Sequence, residues 1–337
     1  MQIYLAPMEG ITGYIVRNAF FHHFGQIDKY FTPFIPAAKR FSRKILRDLD
    51  PANNAGIRLV PQLISNRSEE VLIMIGKLKD LGFGEINLNL GCPSGTVISK
   101  SRGSGLLRDP QALDRFLYGI YEKADVPVSV KTRIGFDSLE EWPEILEIFL
   151  KYPISELIIH PRLRREMYTG YPHLEAYQLA YDRCNTVAEP SAVSRNQNSG
   201  SDQKTPGISP ASLVYNGDLW DSACCRTLLK RFPETGTVMI GRGLLARPDL
   251  ACTIKQIPVE DLRGKLRRFH DEIYDGYLET FTGDKDVFMH MKEIWANLGK
   301  SFHGSDRLLK KLMKSQSASE YRIFVDQIFE TLELSER

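Results

Sequence analysis

Cys92 is the residue in this 337-residue chain whose type and setting point most directly to chemistry. It lies in the stretch 85–109, EINLNLGCPSGTVISKSRGSGLLRD, where Ile86, Leu88 and Leu90 alternate with Asn87 and Asn89. That period-two pattern predicts a strand with one polar face, ending at Gly91. A Gly/Ser-rich loop carrying Lys100 and Arg102 follows, and Asp109-Pro110 reads as a helix start. A thiol at the C-terminal tip of a strand, under a basic flexible loop, is where α/β enzymes place their chemistry. A lone cysteine at a tight turn is more often a packing residue, and it is the flanks that favour a reactive one. An ordinary thiol, with a pKa of ~8.5, is mostly protonated at neutral pH and is a competent proton donor.

Other polar residues recur at predicted strand ends. Strand-like segments fall at 3–8, 30–35, 59–64, 85–91, 126–134, 156–162, 213–218 and 237–243. Helical patterns at 14–24, 68–81, 110–123, 139–151, 174–183 and 219–231 separate them, with a weaker one at 41–49. The strand tips carry Ala6-Pro7-Met8, Gln62, Asn89, Lys131 with Arg133, His160, Asn216-Gly217-Asp218 and Gly241-Arg242-Gly243. Eight β-α repeats with polar tips facing one mouth predict a (β/α)8 TIM barrel rather than an open doubly wound sheet. Phosphate groups bind between the loops after strands seven and eight of such barrels. The glycines at 217, 241 and 243 would let backbone N–H groups approach a phosphate, and Arg242 adds charge. No GxGxxG follows the first strand, so the dinucleotide fingerprint is missing.

After residue 257 only helical patterns remain, at 261–281, 285–298, 306–312 and 319–332, which predicts a small all-helical C-terminal domain over 258–337 beside a barrel domain over 1–257. Its basic residues, Arg263, Lys265, Arg267 and Arg268, then Lys300, His303, Arg307, Lys310, Lys311 and Lys314, form either a solvated face or an RNA surface. The segment 185–212 is rich in Ser, Asn, Pro and Gly. It reads as a loop on the face opposite the mouth, without a catalytic role.

Composition narrows the setting. A net charge of +2 announces no nucleic-acid binder, so an RNA surface requires local clustering. Met1-Gln2 runs straight into IYLAPM, so no signal peptide is expected, and no apolar run approaches the ~20 residues of a membrane helix. The five cysteines make no CxxC pair, no metal spacing and no iron–sulfur cluster, and fit a reducing cytoplasm. A cytoplasmic monomer without metal is the expectation.

The segments LAPMEGITGYIVR, PQLI, NLNLGCPSGTVISKSRGSGLL, VPVSVKTRIG, IIHPRLRREMYTG, YNGD and MIGRGLL, in that order, resemble the tRNA-dihydrouridine synthases. The cysteine segment is the specific one; the others recur in related flavin barrels. The resemblance implies an FMN-bearing barrel and a helical tRNA-binding domain that reduce uridine in tRNA to 5,6-dihydrouridine with NADPH. It places cofactor contacts on Pro7, Met8, Gln62, Lys131, His160, Asn216, Gly217, Asp218, Gly241 and Arg242. Gln62 has a donor and an acceptor for the uracil-like edge of the flavin, and Lys131 would set positive charge near N1 and O2. It makes Cys92 the proton donor and turns Asn89, Arg133 and Arg162 toward substrate, while Lys100 and Arg102 of the basic loop would hold adjacent phosphates. The chain departs from the family where Pro161-Arg162-Leu163 follow His160; a small residue and Arg-Thr are usual there. Uracil's 5,6 double bond is conjugated with the C4 carbonyl, so hydride adds at C6 and a proton at C5. A stacked base cannot reach a barrel floor, so the uridine must be turned out of the RNA, with the Cys92 loop closing over it. Two other readings stay open: a flavin barrel acting on a free pyrimidine such as dihydroorotate, and an RNA-binding barrel without catalysis.

Overall fold

The computed structural model describes residues 1–38, 40–188, 208, 209 and 212–335. Its strands are β1 (Gln2–Leu5), β2 (Lys29–Phe31), β3 (Ile35–Pro36), β4 (Leu59–Val60), β5 (Gln62–Ile64), β6 (Ile86–Leu90), β7 (Val128–Arg133), β8 (Leu157–His160), β9 (Leu213–Tyr215) and β10 (Thr237–Ile240). All their pairings are parallel, in the order β3-β5-β6-β7-β8-β9-β10-β1-β2-β4. Prolines make ten strands of the expected eight. Pro33 stands between β2 and β3, and Pro61 between β4 and β5, and neither can donate to a ladder. The break is bridged. Thr32 N–H donates to the Val60 carbonyl at 3.1 Å, and Gln62 N–H donates to Thr32 Oγ1 at 3.0 Å. With β2 continuing into β3 and β4 into β5, the sheet closes as an eight-stranded barrel.

Alternation along the strands sorts two cores. Ile3, Leu5, Ile86, Leu88, Leu90, Val128, Val130, Leu157 and Ile159 point outward into a large core shared with the helices. Tyr4, Ala6, Phe31, Val60, Ile158, Val214 and Met239 fill the inside. This apolar filling stops at β5–β7, where Gln62, Asn87 and Ser129 are buried instead. The floor is closed by Lys29, whose ammonium lies 2.7 Å from Glu85, 2.8 Å from Glu156 and 4.8 Å from the centre of the Tyr4 ring.

The helices around the barrel are α1 (Tyr14–His23), α2 (Arg43–Leu49), α3 (Ser68–Asp80), α4 (Gly95–Ile98), α5 (Pro110–Tyr121), α6 (Trp142–Leu150), α7 (Leu174–Ala188), α8 (Ser222–Arg231), α9 (Arg242–Ala246) and α10 (Leu250–Ile254). Two starts come later than the periodicity predicts. Residues 139–141 are a 3-10 turn before α6, and α8 begins where the Asp221 carboxylate accepts the Cys224 N–H at 2.7 Å. The loop expected at 185–212 begins later too, because α7 continues through Ala188. Most of that expectation lies outside the described residues, although Ile208 is buried in the core.

Four C-terminal helices follow: α11 (Leu262–Thr280), α12 (Asp284–Leu298), α13 (Asp306–Lys314) and α14 (Ala318–Thr331). They share the outer core of the barrel. Phe269 packs edge-on against Phe20 of α1 at 4.8 Å. At Gly276 the helices are so close that a Cβ would come within 2.8 Å of Ile15. No helix among the described residues is long and apolar enough to cross a membrane.

The Lys29 floor supplies a stability test. Lys29→Met removes the buried cation between two carboxylates, leaving Glu85 to Arg58 at 3.1 Å and Glu156 to the Tyr4 hydroxyl at 2.6 Å. Urea unfolding should show a loss on the order of 3 kcal/mol. Glu85→Gln, which keeps Glu156 on the ammonium, should cost less than half as much.

Candidate active site

The polar half of the barrel ends under Cys92. Asn89, the last inward residue of β6, turns its side-chain oxygen back onto the chain. It accepts the N–H of Gly91 at 3.1 Å and of Cys92 at 2.9 Å. Two donors on one oxygen fix the amide's orientation, so Asn89 Nδ2 donates to Gln62 Oε1 at 2.7 Å. Gln62 Nε2 then donates to Asn87 Oδ1 at 2.7 Å, and Asn87 Nδ2 to Ser129 Oγ at 2.9 Å. All four side chains are buried, where an unpaired polar group would be costly.

The segment after Cys92 is not the long flexible loop its glycines predict. It forms α4 and a 3-10 helix over Gly103–Arg108, with residues 103–107 buried. Ser104 explains the difference, since its N–H and hydroxyl both donate to the Cys92 carbonyl, at 3.1 and 2.8 Å. Gly103 adopts φ +56°, and a Cβ there would lie 2.9 Å from that same carbonyl. The glycines serve close packing beneath the thiol. Lys100 and Arg102 consequently stay out of the cavity: Lys100 is exposed, and Arg102 faces Glu70 at 3.5 Å.

The mouth encloses a cavity of about 600 Å³. The structure brings together on its wall Pro7, Met8, Gln62, Asn89, Cys92, Lys131, Arg133, His160, Asn216, Gly217, Asp218, Gly241 and Arg242. Arg162 lies behind that wall, fully buried. Its guanidinium bonds Asp218 at 2.7 and 3.1 Å and His160 Nε2 at 3.2 Å. Arg242 takes the other side of Asp218 at 2.8 Å. Burial alone would raise the Asp218 carboxyl, but bonds from Arg162 and charge from both arginines hold it below its ordinary range. His160 is kept neutral by burial and by the surrounding cations. Its Nε2 accepts from Arg162, so its proton sits on Nδ1.

Arg133 is also occupied, donating to the carbonyls of Gly91 at 3.0 Å, Leu163 at 2.9 Å and Met167 at 2.7 Å. It clamps the β6 tip to the loop after β8. Lys131 differs from these arginines: among the described residues no hydrogen bond or ion pair reaches it. Burial, with Arg133 nearby, pushes its ammonium down to about 7, partly opposed by Cys92. Burial pushes the Cys92 thiol up, partly offset by the Ser94 N–H and by Lys131.

Glycines shape the far wall. A Cβ on Gly241 would lie 3.3 Å from both Ala6 and the Met8 sulfur, and one on Gly217 would overlap the Tyr215 hydroxyl. Several lining residues carry no signal in a single sequence. Tyr168 stacks on His160 at 6.1 Å and lies under Arg133 and Arg242 at 5.4 and 5.0 Å. Met167 before it has φ +53°, a strained value for a side-chain-bearing residue. Trp220 takes Arg242 on its ring at 5.3 Å and Lys300 at 4.6 Å. Asn297 reaches the cavity from α12. Only the REMYTG segment around Tyr168 stood out in the sequence.

The family model for dihydrouridine synthase matches residues 4–186, more than half of the chain. A probable tRNA-dihydrouridine synthase of Staphylococcus epidermidis is 28% identical over 96% of this chain and 92% of its own length. One from Staphylococcus aureus is 26% identical over the same shares. Probable tRNA-dihydrouridine synthase 2 of Bacillus subtilis is 27% identical, again over 96% and 92%.

Asn89→Ala tests the side-chain relay. It orphans two N–H groups and the Gln62 oxygen, so denaturant unfolding should show a loss of roughly 2–4 kcal/mol. Ser129→Ala, which removes the terminal acceptor and its long bond to the Ile86 carbonyl at 3.3 Å, should cost about 1 kcal/mol.

Proposed function

The chain belongs to the dihydrouridine synthase family, and from that membership we propose that it reduces uridine in tRNA to 5,6-dihydrouridine. FMN is the proposed cofactor and NADPH the proposed reductant. The barrel, 1–257, is the proposed catalytic domain, and the helices of 258–337 the proposed tRNA-binding domain. The observation that carries this reading is the pairing, in one cavity, of an unpartnered Lys131 with the Cys92 thiol.

The residues present fit a flavin mononucleotide. The cavity is of the size that takes such ligands. Gly217 and Gly241 stand where a Cβ would crowd Tyr215, Ala6 and Met8, so the backbone is bare beside the Arg242 charge, which suits a phosphate. Met8 and Ala6 offer an apolar bed. Lys131 has no counter-charge of its own and would face electron-rich ring atoms. Gln62 gives its oxygen to Asn89 and one amide hydrogen to Asn87, which leaves the second amide hydrogen for the ring. When bound, the flavin supplies a hydride for uracil C6.

The chain's own residues would do the rest. Cys92 gives its thiol proton to C5 as the double bond is consumed, leaving a thiolate that solvent reprotonates. Lys131 and the Ser94 N–H stabilise that thiolate. Burial keeps the thiol protonated between turnovers by raising its pKa, so donation should survive above neutral pH and fail only past the ordinary thiol range. Asn89, by holding the Cys92 N–H, positions the thiol over the base. The half-exposed Tyr168 ring offers a face on which an extruded uracil can stack.

A free-pyrimidine reductase shares the ring chemistry, and only substrate separates it from this reading. The test uses two half-reactions and one product. Cys92→Ala should keep its flavin and be reduced by NADPH at the wild-type rate. Its reoxidation by tRNA should slow by ~10²–10⁴, with dihydrouridine lost from the tRNA by mass spectrometry. Reoxidation by tRNA at the wild-type rate would remove the thiol from the mechanism. Reoxidation of the wild type by free uridine or dihydroorotate as fast as by tRNA would sink the synthase reading. Arg242→Ala should lose flavin on dialysis, whereas Cys92→Ala retains it.

A further inference from the structure

We propose that a second cavity beside the reaction cavity binds an unstacked nucleotide flanking the reactive uridine, with the basic helix α2 holding its phosphates. The inference rests on the reading of the substrate as tRNA. The cavity measures about 270 Å³ and lies where the loops after the first two barrel strands meet α2, α11 and α12. Glu9, Ile11 and Phe34 line both cavities, so one wall separates their contents. A chain that delivers a base to one is within a nucleotide's reach of the other.

The lining has the chemistry of a nucleotide subsite. The half-buried rings of Tyr14, Phe34 and Phe281 offer π-faces, as sequence-tolerant stacking requires. Phe281 is already held flat against His290, with centroids 4.9 Å apart and planes at 11°. Tyr14 is fixed through its hydroxyl to Thr280 at 3.2 Å. Glu9, exposed on the shared wall and in no hydrogen bond or ion pair among the described residues, can accept from a base edge. Asp48, the other carboxylate, is committed to Arg17 at 3.3 Å and the Tyr14 N–H at 2.7 Å.

Phosphate contacts come from the rim. Residues 40–47 read RFSRKILR, and Arg40, Arg43, Lys44 and Arg47 are all exposed. Among the described residues none of the four is in an ion pair; Arg47 only overlies the Tyr14 ring at 6.0 Å. The basic residues opening the C-terminal helices contrast with them. Arg263 bonds the carbonyls of Phe329 and Leu332, Arg267 bridges Asp271 and Asp326, and Arg268 pairs with Asp261. Arg267 and Arg268 are neutralised from within, and Arg263 is tied to carbonyls. Among the described residues, α13, like the 40–47 segment, presents Arg307, Lys310, Lys311 and Lys314 exposed and in no ion pair. Helix α12 lies along both cavities, giving His290 to the second and Asn297 to the first. Seven residues are two turns, so both side chains share one face. One strand of RNA following that face would fill both cavities.

The flavin-loaded enzyme and a fluorescently labelled tRNA transcript test this by anisotropy, after mass spectrometry has located the reduced uridine. Lys44→Ala/Arg47→Ala should weaken binding about tenfold at low salt and flatten the log K against log salt slope by about two. Thr280→Phe, which fills the cavity, should weaken binding without changing that slope. An abasic site at one neighbour of the uridine should weaken wild-type binding several-fold and add nothing in Thr280→Phe. An unchanged slope in the double variant would overturn the proposal. So would an abasic penalty at both neighbours that is as large in Thr280→Phe as in wild type. In either case a wild type that still makes dihydrouridine leaves the synthase reading standing. A wild type that neither binds nor reduces tRNA would overturn both.

Discussion

A single carboxamide oxygen sets the geometry on which the cavity depends. Asn89 Oδ1 takes the N–H groups of Gly91 and Cys92 at the point where β6 stops pairing. Without it, two buried donors at the strand tip would have no acceptor, and the turn that presents the thiol would lose its anchor. The demand then propagates. An amide whose oxygen is committed must donate with its nitrogen, so Gln62 presents oxygen to Asn89 and nitrogen to Asn87, and Asn87 donates in turn to Ser129. Three strands, β5, β6 and β7, are thereby locked in register by amides that would otherwise have two equivalent orientations. The apolar half of the interior imposes no such order, because dispersion contacts have no direction.

The charge balance of the mouth follows the same logic of commitment. Four cations, Lys131, Arg133, Arg162 and Arg242, gather at the mouth, where Glu9 and Asp218 are the carboxylates on the cavity wall and Asp218 alone takes the arginines. Arg162 and Arg242 share that carboxylate, and Arg133 spends its donors on three carbonyls. Lys131 is the cation left without a partner among the described residues, and burial already drives it toward its neutral form. A protein gains nothing in stability from such a group, so its retention points to a ligand with negative charge or electron-rich atoms. His160 contributes no further charge, since the same cations keep it neutral.

Much of this could be read from the chain, and what could not has identifiable causes. The strand alternation, the eight repeats and the polar tips were legible because each is a local pattern. The splitting of two strands was not, although Pro33 and Pro61 marked both breaks in plain view. The bridging Thr32 hydroxyl that keeps the barrel closed is a tertiary contact with no local signature. Glycine misled at 103 and 105, where composition suggested flexibility and packing required the absence of a side chain. Arg162 stands beside the site in sequence, yet Asp218, 56 residues away, draws it behind the wall. Whether the basic residues at the start of α11 form a solvated face or an RNA surface could not be read from the chain, because Asp271 and Asp326, the acidic partners of Arg267, lie a turn or a helix away.

The C-terminal helices complete the mouth as well as extending the chain. Lys300 lies over the Trp220 ring whose other cation is Arg242, so a residue of the helical part supports the proposed phosphate end of the cavity. Ser301 donates its hydroxyl to the Ala246 carbonyl at 2.6 Å, pinning the end of α9, the helix that Arg242 opens. Asn297 reaches the cavity itself. On the opposite flank, Phe269 and Gly276 bring α11 into the core of α1, the helix that follows the Pro7-Met8 tip. A boundary at residue 257 is natural in sequence, where helix-only periodicity begins, but the packing crosses it in at least two places. Any movement of the helices against the barrel would therefore reshape the wall of the reaction cavity. In the proposed reaction, binding of RNA to the helices and positioning of the flavin phosphate would be mechanically linked through Trp220, Lys300 and α9.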